Sequence, residues 1–283
     1  PSYDALVSAA DLAGGQFNVK ELVLCILSML DLDPLRENDL HIDLISPALP
    51  GASLGTSASV LVAILSAFLG DSYTADEIWL MALRAEYEIA RRNTGNQDHI
   101  AAIMGAREEI KTPARLITIN DLFDVEIEHL VVGPMISAVL PNTLVSVIGA
   151  HDSSDTHQRL QDELEGDPEM ARDKLCAMRN TAVMAANAFR SDSPDQLFAS
   201  IDALLAAQQS LSTGLIGPFH WKIIQDARAY GGYSGVPGAG GDGGSVITVF
   251  QEADSMRCFA ESIQLALPDI RLFQAGYPGI NFV

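Results

Sequence analysis

The sequence predicts an α+β protein of two domains. Length is the first reason: 283 residues, 48% of them hydrophobic, are enough for two sizeable cores. Next, a strand-like run, a small-residue loop and an apolar helix follow one another between residues 40 and 70. Last, the second half gathers long helical patterns and ends as loop, strand, helix and strand, the order of an α+β layer. The boundary is expected near residue 155, giving domains over 1–155 and 156–283.

Residues 1–37 read as mostly helical, with apolar residues at helical spacing over 19–32. Residues 40–46 (LHIDLIS) alternate and predict a strand, which Pro47 and Pro50 stop. The loop 51–57 follows, then an apolar helix over 58–69 closed by Gly70. Thr74-Ala75-Asp76-Glu77 reads as a capping box opening a helix to about Arg92. Asn93-Thr94-Gly95-Asn96 breaks it, and Gln97-Asp98-His99 precedes a short Ala/Ile helix ending at Gly105. Strands are expected over 116–119 and 143–148. A long helix is expected over 167–189, and Ser193-Pro194-Asp195-Gln196 caps another. A helix over 218–230, a strand over 246–250, a helix over 253–265 and a strand over 270–273 complete the chain.

Net charge is −20, from 37 acidic and 17 basic residues. A chain this acidic repels nucleic acid and anionic membranes in bulk. No apolar run approaches the roughly 18–20 residues that span a bilayer, and no secretory signal is visible. Cys25, Cys176 and Cys258 are odd in number and widely spaced, as buried thiols in a reducing, cytoplasmic compartment would be.

Chemistry is expected at two loops far apart in sequence. One is Pro50-Gly51-Ala52-Ser53-Leu54-Gly55-Thr56-Ser57-Ala58-Ser59; the other is Pro237-Gly238-Ala239-Gly240-Gly241-Asp242-Gly243-Gly244-Ser245. Such loops offer backbone N–H groups, short hydroxyls and close approach to the main chain, which a polyphosphate needs. The first also opens a helix, whose free N–H groups and dipole favour an anion. With a carboxylate-bearing segment between them, the two loops point to phosphoryl transfer. In so acidic a chain, an anionic nucleotide must be held by local N–H groups, a few cations and a divalent metal.

The first loop resembles the second signature of the GHMP kinases, a superfamily of small-molecule kinases. Leu54, Gly55, Thr56, Ser57 and Ala58 match its L-G-S-S and the small residue after it, while Ser53 stands where a glycine is usual. The second loop resembles the third signature, through Gly238-Ala239-Gly240-Gly241 and the apolar Val246-Ile247, with Asp242 as a departure. Arg84-Ala85-Glu86-Tyr87-Glu88 and Gly95-Asn96-Gln97-Asp98-His99 resemble the A-E-x-E helix and the G-x-x-D-Q segment of the sugar-kinase branch. His99 stands where that pattern has Gln. His151–His157 falls where sugar-kinase relatives have a segment after a strand, and it reads as an interdomain turn in reach of substrate.

The resemblance implies a ribosomal-protein-S5-domain-2-like first domain for ATP binding and a ferredoxin-like second domain. It implies that Gly51, Ser53, Leu54, Gly55, Thr56, Ser57 and Ala58 hold the phosphates of ATP. Ser57 and Glu86 would hold Mg²⁺, with Glu88 the alternative ligand if the helix register differs. Asp98 would face the acceptor hydroxyl as the catalytic carboxylate. Gly238, Ala239, Gly240, Gly241, Asp242 and Gly243 would form a substrate and phosphate loop. The activity implied is transfer of the ATP γ-phosphate to a hydroxyl of a sugar or sugar phosphate, of galactose, heptose or fucose type. An inactive sugar or nucleotide sensor and a mevalonate or phosphomevalonate kinase are the other readings. Partners would be the small-molecule polyol and, in a homodimer, a second copy. No match to the N-terminal strand segment of relatives is found, so residues ahead of Pro1 are expected.

Overall fold

A computed structural model of the chain describes residues 19–30, 42, 44, 53–90, 94–106, 114–150, 153–238, 240–241, 243–276 and 279–282. The strand expected over 40–46 falls almost wholly outside them. The chain divides into two compact units. One comprises Pro1–Pro50, Gly55–Ile110 and Ile119–Glu126; the other comprises Gly51–Leu54, Lys111–Thr118 and Ile127–Val283. The second unit thus takes in residues 127–150, ahead of the boundary expected near 155.

The described part of the first unit is mostly helical, with the tip of a β-hairpin added. It holds α1 (Val19–Met29), α2 (Thr56–Leu69), α3 (Ala75–Arg84) and α4 (Gln97–Ala106). Leu22, Cys25 and Ile26 line one face of α1 at helical spacing and are buried. Leu61, Ile64 and Leu65 of α2, Ile78, Ala82 and Leu83 of α3, and Ile100 and Ile103 of α4 are buried, and the three helices pack on one another. Burying a side chain of that size stabilises by about 2 kcal/mol, so Leu65→Ala is a change of roughly 3 kcal/mol.

The Thr74–Glu77 capping box forms as expected. The Thr74 hydroxyl accepts from the Glu77 N–H at 3.3 Å, and the Glu77 carboxylate accepts from the Thr74 N–H at 2.8 Å. The helix it opens does not run on to Arg92 in α form. From Ala85 to Ile89 the backbone widens into a π turn, with the Ala90 N–H bonded to the Ala85 carbonyl at 2.9 Å.

A hairpin of β1 (Ala114–Asp121) and β2 (Asp124–Leu130) follows. Only its first strand is anticipated by the sequence, because β2 alternates Glu and His with Val, Ile and Leu and is mostly exposed. Its tip packs in the first unit: the Arg84 guanidinium lies 5.7 Å above the Phe123 ring, and Tyr87 meets that ring edge-on.

The second unit is built on an antiparallel sheet. It holds α5 (Pro134–Val139), β3 (Thr143–Gly149), α6 (Ser153–Gly166), α7 (Pro168–Arg190), α8 (Pro194–Leu211), α9 (Pro218–Ala229), β4 (Gly232–Gly235), β5 (Gly244–Phe250), α10 (Ala253–Ala266), β6 (Arg271–Gly276) and β7 (Gly279–Phe282). The strand order is β4-β5-β3-β6-β7, with antiparallel pairing throughout. Leu144, Val246, Phe250 and Leu272 face Ile223 and Ile224 of α9 and Phe259 and Ile263 of α10. Alternation along each strand sends Val249 to the other face, against Leu197 and Phe198 of α8 and Ile136 of α5. Ser193 caps α8 by accepting from the Gln196 N–H at 3.4 Å.

The α+β class therefore stands, with some corrections. Residues 153–157 form the first turn of α6, not an interdomain turn; His151 and Asp152 lie outside the described residues. Cys25 is buried as expected, but Cys176 and Cys258 are exposed. Among the described residues no helix is long and apolar enough to cross a membrane.

Candidate active site

Gly55 opens α2 in the left-handed conformation, at φ 64° and ψ 31°. No side chain caps this end, and no acidic residue stands in its first turn. The first-turn N–H groups of Thr56, Ser57 and Ala58 therefore remain outside the helical hydrogen-bond pattern, at the positive end of the dipole. The Thr56 hydroxyl oxygen is buried without a hydrogen-bond partner among the described residues. Ser57 is half-buried, and the Ala58 methyl is packed into the core, which leaves only its backbone to face a ligand.

Asp98 sits against this helix end. A Cβ built on Gly55 would stand 3.1 Å from Asp98 Cγ, so glycine there makes room for the carboxyl as well as for the turn. Asp98 is reached by solvent, yet protein crowds its carboxyl. That loss of solvent raises its pKa above the ordinary carboxylate value; His99 pulls the other way, and the charge of Glu86 adds to the rise.

Glu86 lies on the π turn and is 3% exposed, whereas Glu88 faces solvent. Of the two candidate carboxylates, only Glu86 turns inward. Glu86 Oε2 lies 3.0 Å from His99 Nε2 and accepts from the Thr94 hydroxyl at 3.4 Å. The His99 contact has ion-pair distance without the straight line of a strong hydrogen bond. His99 is fully buried, and its Nδ1 is 3.2 Å from the Gly95 carbonyl. Asn96, 1% exposed, donates to the Leu122 carbonyl at 3.1 Å and ties this segment to the hairpin tip. The sequence marks Glu86 and Asp98 but not the Glu86–His99 pairing, nor the hold of Asn96. The one signal was His99 itself, in place of the usual Gln.

In the second unit, Ser53 has φ 57°, a left-handed value uncommon for serine. A Cβ on Gly238 would stand 3.2 Å from Ser53 Cβ, so the two expected phosphate loops meet at these residues. The rest of the 238–243 run is used differently. Gly240, Gly241 and Gly243 are buried. The Gly241 N–H bonds to the Leu215 carbonyl at 3.0 Å, and Gly241 bridges Ile216. Gly240 has φ 62°, and a Cβ there would overlap the Leu215 carbonyl oxygen. Ahead of the run, the Gln208 amide donates to the Val236 carbonyl at 2.6 Å and accepts from the Val236 N–H at 3.3 Å. Gly240 and Gly241 thus pack against residues 215–217, while Gly238 is exposed. Gly51, Ala239 and Asp242 lie outside the described residues.

A groove of about 630 Å³ on α6 and α7, lined by Leu164, Pro168, Ala171, Leu175 and Cys176, carries none of this chemistry.

Comparison with known proteins turns on the helix end just described. The family model for the GHMP kinases N terminal domain matches residues 19–106, the stretch that holds Gly55, Glu86 and Asp98. Residues 19–106 are thus similar to the N-terminal domain of the GHMP kinases. The fold of the chain is also that of solved GHMP kinases. A Lin0012 protein from Listeria innocua is similar with a TM-score of 0.66 at 15% identity, over 90% of this chain and 76% of that one. L. major mevalonate kinase in complex with R-mevalonate gives 0.66 at 16% identity, over 88% and 73%. A D-glycero-D-manno-heptose 1-phosphate kinase from Bacteroides thetaiotaomicron gives 0.57 at 17% identity, over 93% and 71%. No curated protein sequence matches the chain. The α+β expectation and the GHMP kinase resemblance are thus borne out.

Proposed function

We propose that this chain is an ATP-dependent kinase that transfers the γ-phosphoryl group to a hydroxyl of a sugar or sugar phosphate. The observation that carries this reading is the Asp98 carboxyl held against Gly55, at an uncapped helix N-terminus free of acidic residues. The N–H groups of the first turn of α2 suit an anion, and the Thr56 hydroxyl supplies one more polar contact. Asp98 accepts or orients the proton of the acceptor hydroxyl. The acceptor oxygen then bonds to the γ-phosphorus, the bond to the bridging oxygen breaks, and ADP leaves. A base works best with a pKa near the working pH, and crowding moves Asp98 in that direction.

The donors here fit Mg²⁺. The Ser57 hydroxyl and the Glu86 carboxylate are hard oxygen ligands, and Glu86 stands close enough to Asp98 to raise its pKa. Among the described residues no cluster of three or more His, Cys, Asp or Glu is placed to hold a metal. Mg²⁺ draws most of its ligands from phosphates and water, so one or two protein oxygens would hold it. Bound there, Mg²⁺ would neutralise charge on the transferred group.

Gln97-Asp98 followed by Ile100-Ala101-Ala102 favours a sugar acceptor. The mevalonate kinase structure has a higher TM-score, 0.66, than the heptose 1-phosphate kinase, 0.57, so mevalonates belong in the test. Coupled ADP release with ATP and Mg²⁺ is measured across free sugars, heptose phosphates and mevalonates, with Asp98→Asn as control. One acceptor that stimulates release, with the stimulation lost in the variant, is the expected result. Nucleotide binding without turnover for any acceptor would replace this reading with the sensor.

A further inference from the structure

We propose that the groove on α6 and α7 is a dimer interface, filled by the same surface of a second copy of this chain packed antiparallel. The inference is independent of the kinase reading, since it uses none of the residues of that site.

One side of α7 is spoken for. Ala171, Thr181, Ala186 and Ala188 are buried, and the helix packs along α8. The opposite side has no such cover among the described residues. Arg172, Leu175, Cys176, Arg179, Ala182 and Val183 are exposed there. They recur every three or four residues, so they form one stripe about 16 Å long. Leu175 is 50% exposed and Val183 40%. Leu164 of α6 joins Ala171 and Leu175 in lining the groove of about 630 Å³ beside the stripe. Apolar residues at this spacing are what one helix offers another across a packed contact.

Charge decides what fills the groove. The chain carries −20, yet two guanidiniums, Arg172 and Arg179, stand at this groove. Neither makes an ion pair among the described residues. Their complement is an acidic surface, and α7 itself supplies one: Glu169 is exposed and unpaired on the same helix. A two-fold axis crossing α7 beside residue 174 runs the two copies of the helix antiparallel. Glu169 of each copy then stands opposite Arg179 of the other, and Arg172 stands opposite Cys176. The two Leu175 side chains flank the axis, which gives an apolar centre with ion pairs towards the rim. Such a contact is self-complementary and closes at two copies. A parallel arrangement would set arginine on arginine and is opposed by repulsion.

The test is sedimentation velocity over a range of micromolar protein concentrations. Wild type is compared with Arg179→Glu, with Leu175→Glu and with the double variant Glu169→Arg/Arg179→Glu, each checked for helix content by circular dichroism. Wild type should dimerise. Arg179→Glu sets carboxylate against carboxylate twice and should weaken the dimer at least about tenfold. Leu175→Glu should weaken it to a similar extent, and the double variant should recover most of the loss because its charges are exchanged. A monomeric wild type overturns the proposal and leaves the groove to a partner of another kind. A dimer indifferent to Arg179→Glu and Leu175→Glu places the contact elsewhere and overturns it too, as does a double variant no better than Arg179→Glu. Should the variants not fold, a short bismaleimide on the wild-type protein decides. It should bridge the Cys176 thiols of two copies, with Cys176→Ser as control; absence of a Cys176-dependent bridge overturns the proposal.

Discussion

The two small-residue loops look alike in sequence and are used in opposite ways. At 53–58, one glycine does two things: Gly55 turns the chain into α2 and leaves space for Asp98. Around it, no side chain caps the first turn of α2, and the Thr56 hydroxyl is buried without a hydrogen-bond partner among the described residues. At 238–244, most of the glycines are consumed by packing, with Gly240 and Gly241 pressed onto the backbone of residues 215–217. The lesson is physical. A glycine permits close approach, but whether a ligand or the protein's own backbone makes that approach is a matter of tertiary packing.

The comparison can be broken by substitution, and the largest effect is expected in the packed loop. Gly240→Ala brings overlap with the Leu215 carbonyl together with left-handed strain, and should destabilise the protein by at least about 3 kcal/mol in denaturant unfolding. A variant that keeps its stability and loses only nucleotide affinity would break the contrast.

Asp98→Asn should lower turnover roughly 10²–10⁴-fold. It should also raise the melting temperature at neutral pH. The pKa of Asp98 is raised in the folded state, so the folded protein binds more protons than the unfolded chain between the ordinary carboxylate value and the raised one. Its contribution to stability is thus present at low pH and is lost as pH rises through that window. The variant removes this pH dependence, which thermal melts across the acidic range would reveal, and wild-type turnover should show an acidic limb displaced upward from the ordinary carboxylate range.

Gly55→Ala should cost about 1–2 kcal/mol from its left-handed backbone and should weaken ATP binding, as calorimetry can measure. The smallest effect is expected at Ser53. Ser53→Gly relieves a left-handed serine but frees the unfolded chain, so the net gain should stay within about 1 kcal/mol, with nucleotide affinity retained.

Much of this was legible in the sequence for local reasons. Thr74-Ala75-Asp76-Glu77 and Ser193-Pro194-Asp195-Gln196 announce their caps because capping is written within four residues. The apolar spacing of 19–29 and 56–69 gives their helices in the same way. Asp98 and Glu86 were marked by a spacing of motif residues along the chain. What escaped depends on distant parts. The strand β2 is mostly exposed, and its alternation of Val125 and Ile127 with acidic residues is short. The π turn leaves no mark in the sequence, yet it belongs to the stretch that turns Glu86 inward and Glu88 outward. The pairing of His99 with Glu86 depends on the packing of α4 beside that turn, and no periodicity announces it. The burial of Gly240 was hidden because residues 215–217, which cover it, lie far away in sequence.

The central claim is that the end of α2, and not the packed glycine run, receives the phosphates of a nucleotide. Backbone amide resonances test it directly, followed as Mg²⁺ and a non-hydrolysable ATP analogue are titrated into the wild-type protein. The account predicts the largest shifts at the amides of Gly55, Thr56 and Ser57, with those of Gly240 and Gly241 little moved. Silent amides at 55–57 with large shifts at Gly240 and Gly241 would contradict it.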